Sequence, residues 1–189
     1  MRRINTLIVG GARSGKSRFA QEVGRKLGGA VLFVATAEAG DEEMSERIEE
    51  HQRERPATWR TLEASSHVGR RIEQEIGDAQ VVIVDCITLL VSNIFSQHGD
   101  QALERIEKSV LERQVMAELN ELVECMRKID ANFVIVSNEV GLGLVPTSKV
   151  ARLYRDLLGK ANQMLAQCAD EVYLMVAGLP MKTKSLDKP

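Results

Sequence analysis

Three groups of residues in this chain have types and spacings that do chemistry. The first is the run Gly10, Gly11, Ala12, Arg13, Ser14, Gly15, Lys16, Ser17. It follows a short apolar run and opens an amphipathic stretch. A Gly-x-x-x-x-Gly-Lys-Ser pattern in that context wraps main-chain N–H groups around phosphate oxygens. The helix it opens adds the positive partial charge of its N-terminus. Lys16 is then placed for β- and γ-phosphates, and the Ser17 hydroxyl for Mg²⁺. The second is Asp85, which closes the run Val81 to Asp85. A carboxylate at the end of a neighbouring strand completes the metal side of such a site. The third is His51, inside "RIEEHQRERPATWR", Arg47 to Arg60. A neutral imidazole, with an unperturbed pKa of about 6.5, attacks phosphorus near neutral pH and carries the transferred group covalently. Arg47, Arg53 and Arg55 stand close by in sequence to steady the phosphate charge. Met44, Ile48 and His51 also fall on one helix face, and from the residues alone a histidine that extends this stripe reads first as a packing residue.

Elements must hold these groups in place. Thr6–Gly10, Val31–Thr36, Val81–Asp85, Phe133–Ser137 and Val172–Val176 are brief, branched and apolar on both faces. They predict buried strands of a mostly parallel central sheet, flanked by helices on both faces. Thr58–Ala64 alternates and predicts an edge strand. A helix runs from Gly15 to the glycine stop at Gly28-Gly29, and another from Asp41 to Arg55, ended by Pro56. After Pro146, residues Val150, Leu153, Tyr154, Leu157, Leu158, Ala161, Met164 and Leu165 form one broad helical stripe. Leu103 to Met126 predicts a long helix or two, and the polar segment Ser96 to Ser109 a loop. The glycine-rich "NEVGLGLVP", Asn138 to Pro146, follows a strand and belongs at the ligand-binding rim, for substrate or subunit contact. Strands alternating with helices make a single α/β domain over residues 1–189.

The totals narrow the partners. The chain has 189 residues and a formal net charge of −2, which argues against a mainly electrostatic grip on nucleic acid or anionic membrane. Aromatics are 4%, so the core is aliphatic. Cys86, Cys125 and Cys168 are far apart, which suits a reducing cytoplasm and indicates neither a disulfide framework nor zinc. No signal peptide or membrane-spanning run is legible. An Asn-Lys-x-Asp guanine-reading motif is absent, so a GTP switch of the Ras type is not indicated.

Several motifs line up in one order. They are "GGARSGKS" at Gly10–Ser17, "ATAE" at Ala35–Glu38, "DEEMSERIEEHQRERPATWRTLE" at Asp41–Glu63, "VDCITLLVSN" at Val84–Asn93, "VSNEVGLGLVP" at Val136–Pro146 and the stretch Ala151–Pro180. With these the chain resembles the bifunctional adenosylcobinamide kinase / adenosylcobinamide-phosphate guanylyltransferase family of cobalamin biosynthesis. The resemblance implies a RecA-like P-loop NTPase fold, a homotrimer, adenosylcobinamide as substrate, and GTP and ATP with Mg²⁺. It implies phosphorylation of the corrinoid's terminal hydroxyl, with Lys16 at the nucleotide phosphates. GMP then passes from GTP to His51 and on to the new phosphate. It places nucleotide contacts at Gly10, Gly11, Ala12, Arg13, Ser14, Gly15, Lys16 and Ser17. Others are Thr36, Ala37, Glu38, Gln52, Arg53, Glu54, Arg55, Glu63 and Asp85, with Ser17 and Asp85 as metal ligands. Two positions depart from the family's usual pattern: Glu50 precedes His51 where a histidine pair is common, and Asp85 stands where some members have glutamate. A P-loop kinase without guanylyl transfer and a non-catalytic nucleotide sensor are the competing readings.

Overall fold

A computed structural model describes residues 3–38, 52–53, 55–103 and 105–185. Their elements, in chain order, are β1 (Asn5–Gly10), α1 (Lys16–Leu27), β2 (Val31–Ala35), β3 (Arg60–Glu63) and α2 (Val68–Glu75). These are followed by β4 (Val81–Asp85), α3 (Ile87–Ser96), α4 (Asp100–Leu103), α5 (Lys108–Lys128), β5 (Asn132–Asn138), α6 (Lys149–Cys168), β6 (Glu171–Val176) and β7 (Leu179–Lys184). The strands form one seven-stranded sheet in the order β3-β2-β4-β5-β1-β6-β7. Every neighbouring pair is parallel except β6–β7. The predicted α/β fold, a mostly parallel sheet under helices, is the observed one.

Burial on both faces explains why the strands are apolar throughout. Leu7, Leu32, Val34, Val82, Val84, Phe133 and Ile135 pack under α2, α3, α5 and α6. Ile8, Phe33, Ile83, Val134 and Val136 face the other way, under α1 and Trp59. Fully burying each such side chain contributes about 1.5–3 kcal/mol. Gly24 sets the distance of α1 from the sheet, since a Cβ there would meet Ile83 Cδ1 at 2.7 Å.

Three elements were not singled out from the sequence. α3, ITLLVSNIFS, buries Ile87, Thr88, Leu90, Val91, Ile94 and Phe95 on one face, and it follows the apolar β4 so closely that the two read as one run. α2 is only eight residues long. β7 carries Pro180 and two lysines, composition that argues against a strand; as the antiparallel edge it tolerates a proline, and the lysines blunt the open edge. The Ser96–Ser109 segment, expected as a loop, contains α4, and the Leu103–Met126 stretch is α5 with a break before it. His98, expected at the surface, is half-buried and its Nε2 lies 2.8 Å from Gln114 Oε1. Of the helix expected over Asp41–Arg55, only Gln52 and Arg53 are among the described residues, and they are helical.

Parallel strands all finish at one rim. Gly10 pairs with Asn138, Asp85 with Ala35 and Val136, and Ala35 with Glu63. These strand ends share the side on which open α/β sheets bind ligands.

Candidate functional site

The phosphate loop leaves β1 at Gly10 and enters α1 at Lys16. Gly15 adopts φ +90°, a left-handed backbone that glycine takes without strain. A Cβ on Gly10 would meet the Met175 carbonyl at 2.6 Å, so that position must also be bare. Ser14 is buried, its Oγ has no hydrogen-bond partner, and its carbonyl accepts from Gly178 N–H at 3.1 Å. The β6–β7 turn therefore braces one flank of the loop. Lys16 is also buried, and its Nζ donates to Gly11 O at 2.6 Å, curling the chain over the space a phosphate would fill. Burial pulls its pKa below the ordinary lysine value, and the charge of Asp85 opposes that pull. Cys86, pushed up to about 12 mainly by its own burial, is an uncharged thiol at neutral pH.

Asp85 ends β4 within electrostatic reach of Lys16 and Arg55. Arg55 is half-buried, with its guanidinium 3.9 Å from the Phe33 ring centroid. Desolvation pulls its pKa down, and Asp85 and Glu63 hold it up. The signs therefore alternate along the rim: Lys16, Asp85, Arg55, Glu63. Arg55 Nε and Nη1 are buried with no hydrogen-bond partner among the described residues. Such donors are costly to leave unmet, and an anionic or carbonyl ligand would satisfy them.

Arg55 also borders an open cleft of about 660 Å³, lined by Gln52, Pro56, Ala57, Trp59, Thr61, Leu62, Glu63, Arg71 and Glu75 as well. The structure thus brings Gln52, Arg55 and Glu63 together in one cleft, at the β3 side of the strand-end rim. Glu38 is exposed just after β2. His51 and Glu54 lie outside the described residues. Thr36, which the resemblance places among the nucleotide contacts, is engaged inside the fold. It is fully buried, and its Oγ1 donates to Cys86 O and accepts from Cys86 N–H, both at 2.7 Å. Its N–H donates to Asp85 O at 3.2 Å, and its carbonyl accepts from Asn93 Nδ2 at 2.8 Å. Thr36 is a clamp that fixes the strand end carrying Asp85. Asn93 and Trp59, assigned no role from sequence, are the residues the structure adds here. Trp59 was already visible in the "RPATWR" motif as the one tryptophan of the chain.

The end of β5 is fastened as firmly. Asn138 N–H donates to Thr88 Oγ1 at 2.8 Å, and its carbonyl accepts from Asn162 Nδ2 at 2.9 Å. Tyr154 OH donates to Thr88 O at 3.0 Å. Glu139 N–H donates to Gly10 O at 3.0 Å, tying "NEVGLGLVP" to the phosphate loop. Beyond that tie, Leu142, Leu144 and Val145 are largely exposed.

No three of His, Cys, Asp and Glu gather into a metal site among the described residues. A hydroxyl and one strand-end carboxylate, Ser17 and Asp85, are nonetheless the donor set Mg²⁺ uses when substrate phosphates complete its shell.

Comparison with known proteins agrees with this geometry. Two folds of low identity share the architecture: a protein from Pyrococcus horikoshii OT3, at TM-score 0.55 and 9% identity over 99% of this chain and 90% of that one, and an ATPase of a bacterial type III secretion system. The ATPase has TM-score 0.51 and 13% identity over 95% of this chain and 56% of that one. They establish the P-loop NTPase fold alone. Sequence relatives are much nearer. The bifunctional adenosylcobalamin biosynthesis protein CobU of Escherichia coli K12 is 40% identical over 94% of this chain and 98% of its own length. CobP of Pseudomonas aeruginosa, described in the same words, is 40% identical over 94% and 96%. Residues 6–183 match the model of the cobinamide kinase / cobinamide phosphate guanyltransferase family, CobU, and the chain belongs to that family.

Proposed function

We propose that this chain is a bifunctional enzyme of cobalamin biosynthesis, acting as one domain. It phosphorylates the terminal hydroxyl of adenosylcobinamide with a nucleoside triphosphate, ATP or GTP. It then moves GMP from GTP through His51 to that phosphate, giving adenosylcobinamide-GDP. The observation that carries the reading is the continuity of the rim. The phosphate loop leads through Asp85 and Arg55 into a cleft lined by Gln52, the residue directly after His51. In the kinase step Lys16 and the loop amides hold the phosphates. Ser17 and Asp85 would hold Mg²⁺, which neutralises developing charge on the phosphates when bound. In the transfer step imidazole attacks the α-phosphate and pyrophosphate leaves. The resulting P–N bond breaks when the corrinoid phosphate attacks in turn, which divides one difficult transfer into two easier ones. Arg55, with unmet donors, is placed for the phosphate charge.

A homotrimer in the cytoplasm completes the proposal. Exposed Leu142, Leu144 and Val145 on one flank of the phosphate loop, and Val176, Leu179 and Met181 on the other, support a subunit contact. Light scattering tests it: a trimer reads three times the chain mass, and a monomer at working concentration refutes it. No helix among the described residues is long and apolar enough to cross a membrane.

The deciding experiment incubates the protein with GTP labelled at the α-phosphate. A covalent GMP adduct is expected, stripped by acid, stable to alkali, and mapping between Arg47 and Arg55. His51→Ala should abolish it and leave phosphorylation of adenosylcobinamide largely intact. An adduct that persists in His51→Ala refutes the assignment; phosphorylated corrinoid with no adduct in the unmodified chain selects a kinase alone.

A further inference from the structure

Phosphoryl transfer to a hydroxyl needs a group that takes the hydroxyl proton, and none of the residues assigned above does so. Lys16 is a cation, and Asp85 is committed to the metal side. Four constraints locate the missing acceptor: it must be a carboxylate or imidazole, stand at the strand-end rim, lie beside the phosphate loop, and be uncommitted to a cation.

Strand spacing selects among the acids of the described residues. Neighbouring strands lie about 4.8 Å apart, so β3 with Glu63 stands roughly 19 Å from β1, and β2, which precedes Glu38, roughly 14 Å. Glu63 also faces Arg55. On the other flank of β1 the rim end of β6 carries Val176, Ala177 and Gly178, with no acid. Glu171 lies at the opposite end of β6 and is paired with Lys182. The strand between β1 and β4 is β5, and the residue directly after it is Glu139.

Glu139 is held with care. Its N–H donates to Gly10 O at 3.0 Å, so its main chain is fixed to the first glycine of the phosphate loop. Its Oε1 accepts from Gly141 N–H at 2.6 Å. That bond orients the carboxylate and leaves the second oxygen available. No cation is ion-paired with it among the described residues. The side chain is half-buried at the base of the loop that exposes Leu142 and Leu144.

We propose that Glu139 is the residue that orients and deprotonates the acceptor hydroxyl in the kinase reaction; this rests on the kinase half of the function proposed above. The hydroxyl oxygen bonds to the γ-phosphorus as the bond from that phosphorus to the β–γ bridging oxygen breaks. The proton passes to Glu139, which later releases it to water, and the nucleoside diphosphate departs with the bridging oxygen. Phosphoryl transfer needs such a carboxylate chiefly to place the nucleophile.

The test uses the full chain with adenosylcobinamide and ATP. Glu139→Gln keeps the shape and the Gly141 bond while removing the basic oxygen. Its kinase kcat should fall by about 10²- to 10⁴-fold, with KM for ATP little changed. Gly141→Ala is the second variant. Its Cβ would meet Glu139 Oε1 at 2.8 Å, so the carboxylate is displaced with its charge kept. A lower kcat is expected there too. Covalent labelling by α-labelled GTP, which involves no acceptor hydroxyl, reports on the nucleotide site in the same preparations. A kcat for Glu139→Gln within twofold of the unmodified chain overturns the proposal. So does a loss carried by KM for ATP, or an equal loss of labelling and kinase activity, since either makes Glu139 a prop for the phosphate loop. If the unmodified chain itself phosphorylates no corrinoid, the function reading fails first, whatever Glu139 does.

Discussion

The two halves of the strand-end rim are built differently. At β1, β5 and β4 the site is made of main chain and small groups. The phosphate loop is curled by the Lys16–Gly11 bond, braced by Gly178 and Glu139, and flanked by an Asp85 strand end that Thr36 clamps. At β2 and β3 the site is an open cleft of long side chains, Arg55, Trp59, Arg71 and Glu63 among them, with two Arg55 nitrogens unmet among the described residues. A phosphate presents the same oxygens in every nucleotide, so a rigid cradle serves it. In the proposed function the other end accepts a nucleotide and a transferred group in turn, and adaptable side chains suit that work. The phosphate half should therefore fail in all reactions when altered, and the cleft half in one.

Lys16→Ala is the largest expected effect. It removes the buried cation of the cradle, and both kinase activity and GMP labelling should fall by on the order of 10³-fold, with the fold kept by circular dichroism. Full activity in either reaction would break the comparison. Asp85→Asn comes next. Its shape is retained and its charge lost, so the Mg²⁺ concentration needed for half-maximal rate should rise on the order of 10- to 100-fold in both reactions. An unchanged Mg²⁺ titration with normal turnover counts against Asp85 as a ligand. Arg55→Ala is the smallest and the most discriminating. It should weaken GTP use in labelling about tenfold, close to the value of one hydrogen bond to a charged group. The kinase rate at saturating ATP should stay within about twofold. An equal loss in both reactions would mean that the two halves work as one unit.

Legibility in the sequence follows the same division. β1, β2, β4, β5 and β6 read directly, because a parallel strand covered on both faces must be apolar at every position. α1 and α6 read equally well, each with a stop or stripe that local chemistry dictates. α3 did not, because it begins two residues after the apolar β4 and merges with it in the sequence, and β7 did not, because an edge strand owes its pairing to β6 and not to its own composition. Among candidate site residues, Gly10–Ser17 needed only local spacing. The bonds between the Thr36 hydroxyl and Cys86, fifty positions away in the chain, could be read only from the fold.

The sequence by itself determined the phosphate loop, the aliphatic parallel sheet and the family, since each depends on residue types at fixed short spacing. Only the tertiary structure decided which distant groups share the rim. It aligned Lys16, Asp85, Arg55 and Glu63 as alternating charges. It also put Glu139 beside Gly10, because β5 inserts between β4 and β1. Strand order is set by how the crossover helices pack on the sheet, and no local pattern of residues records it.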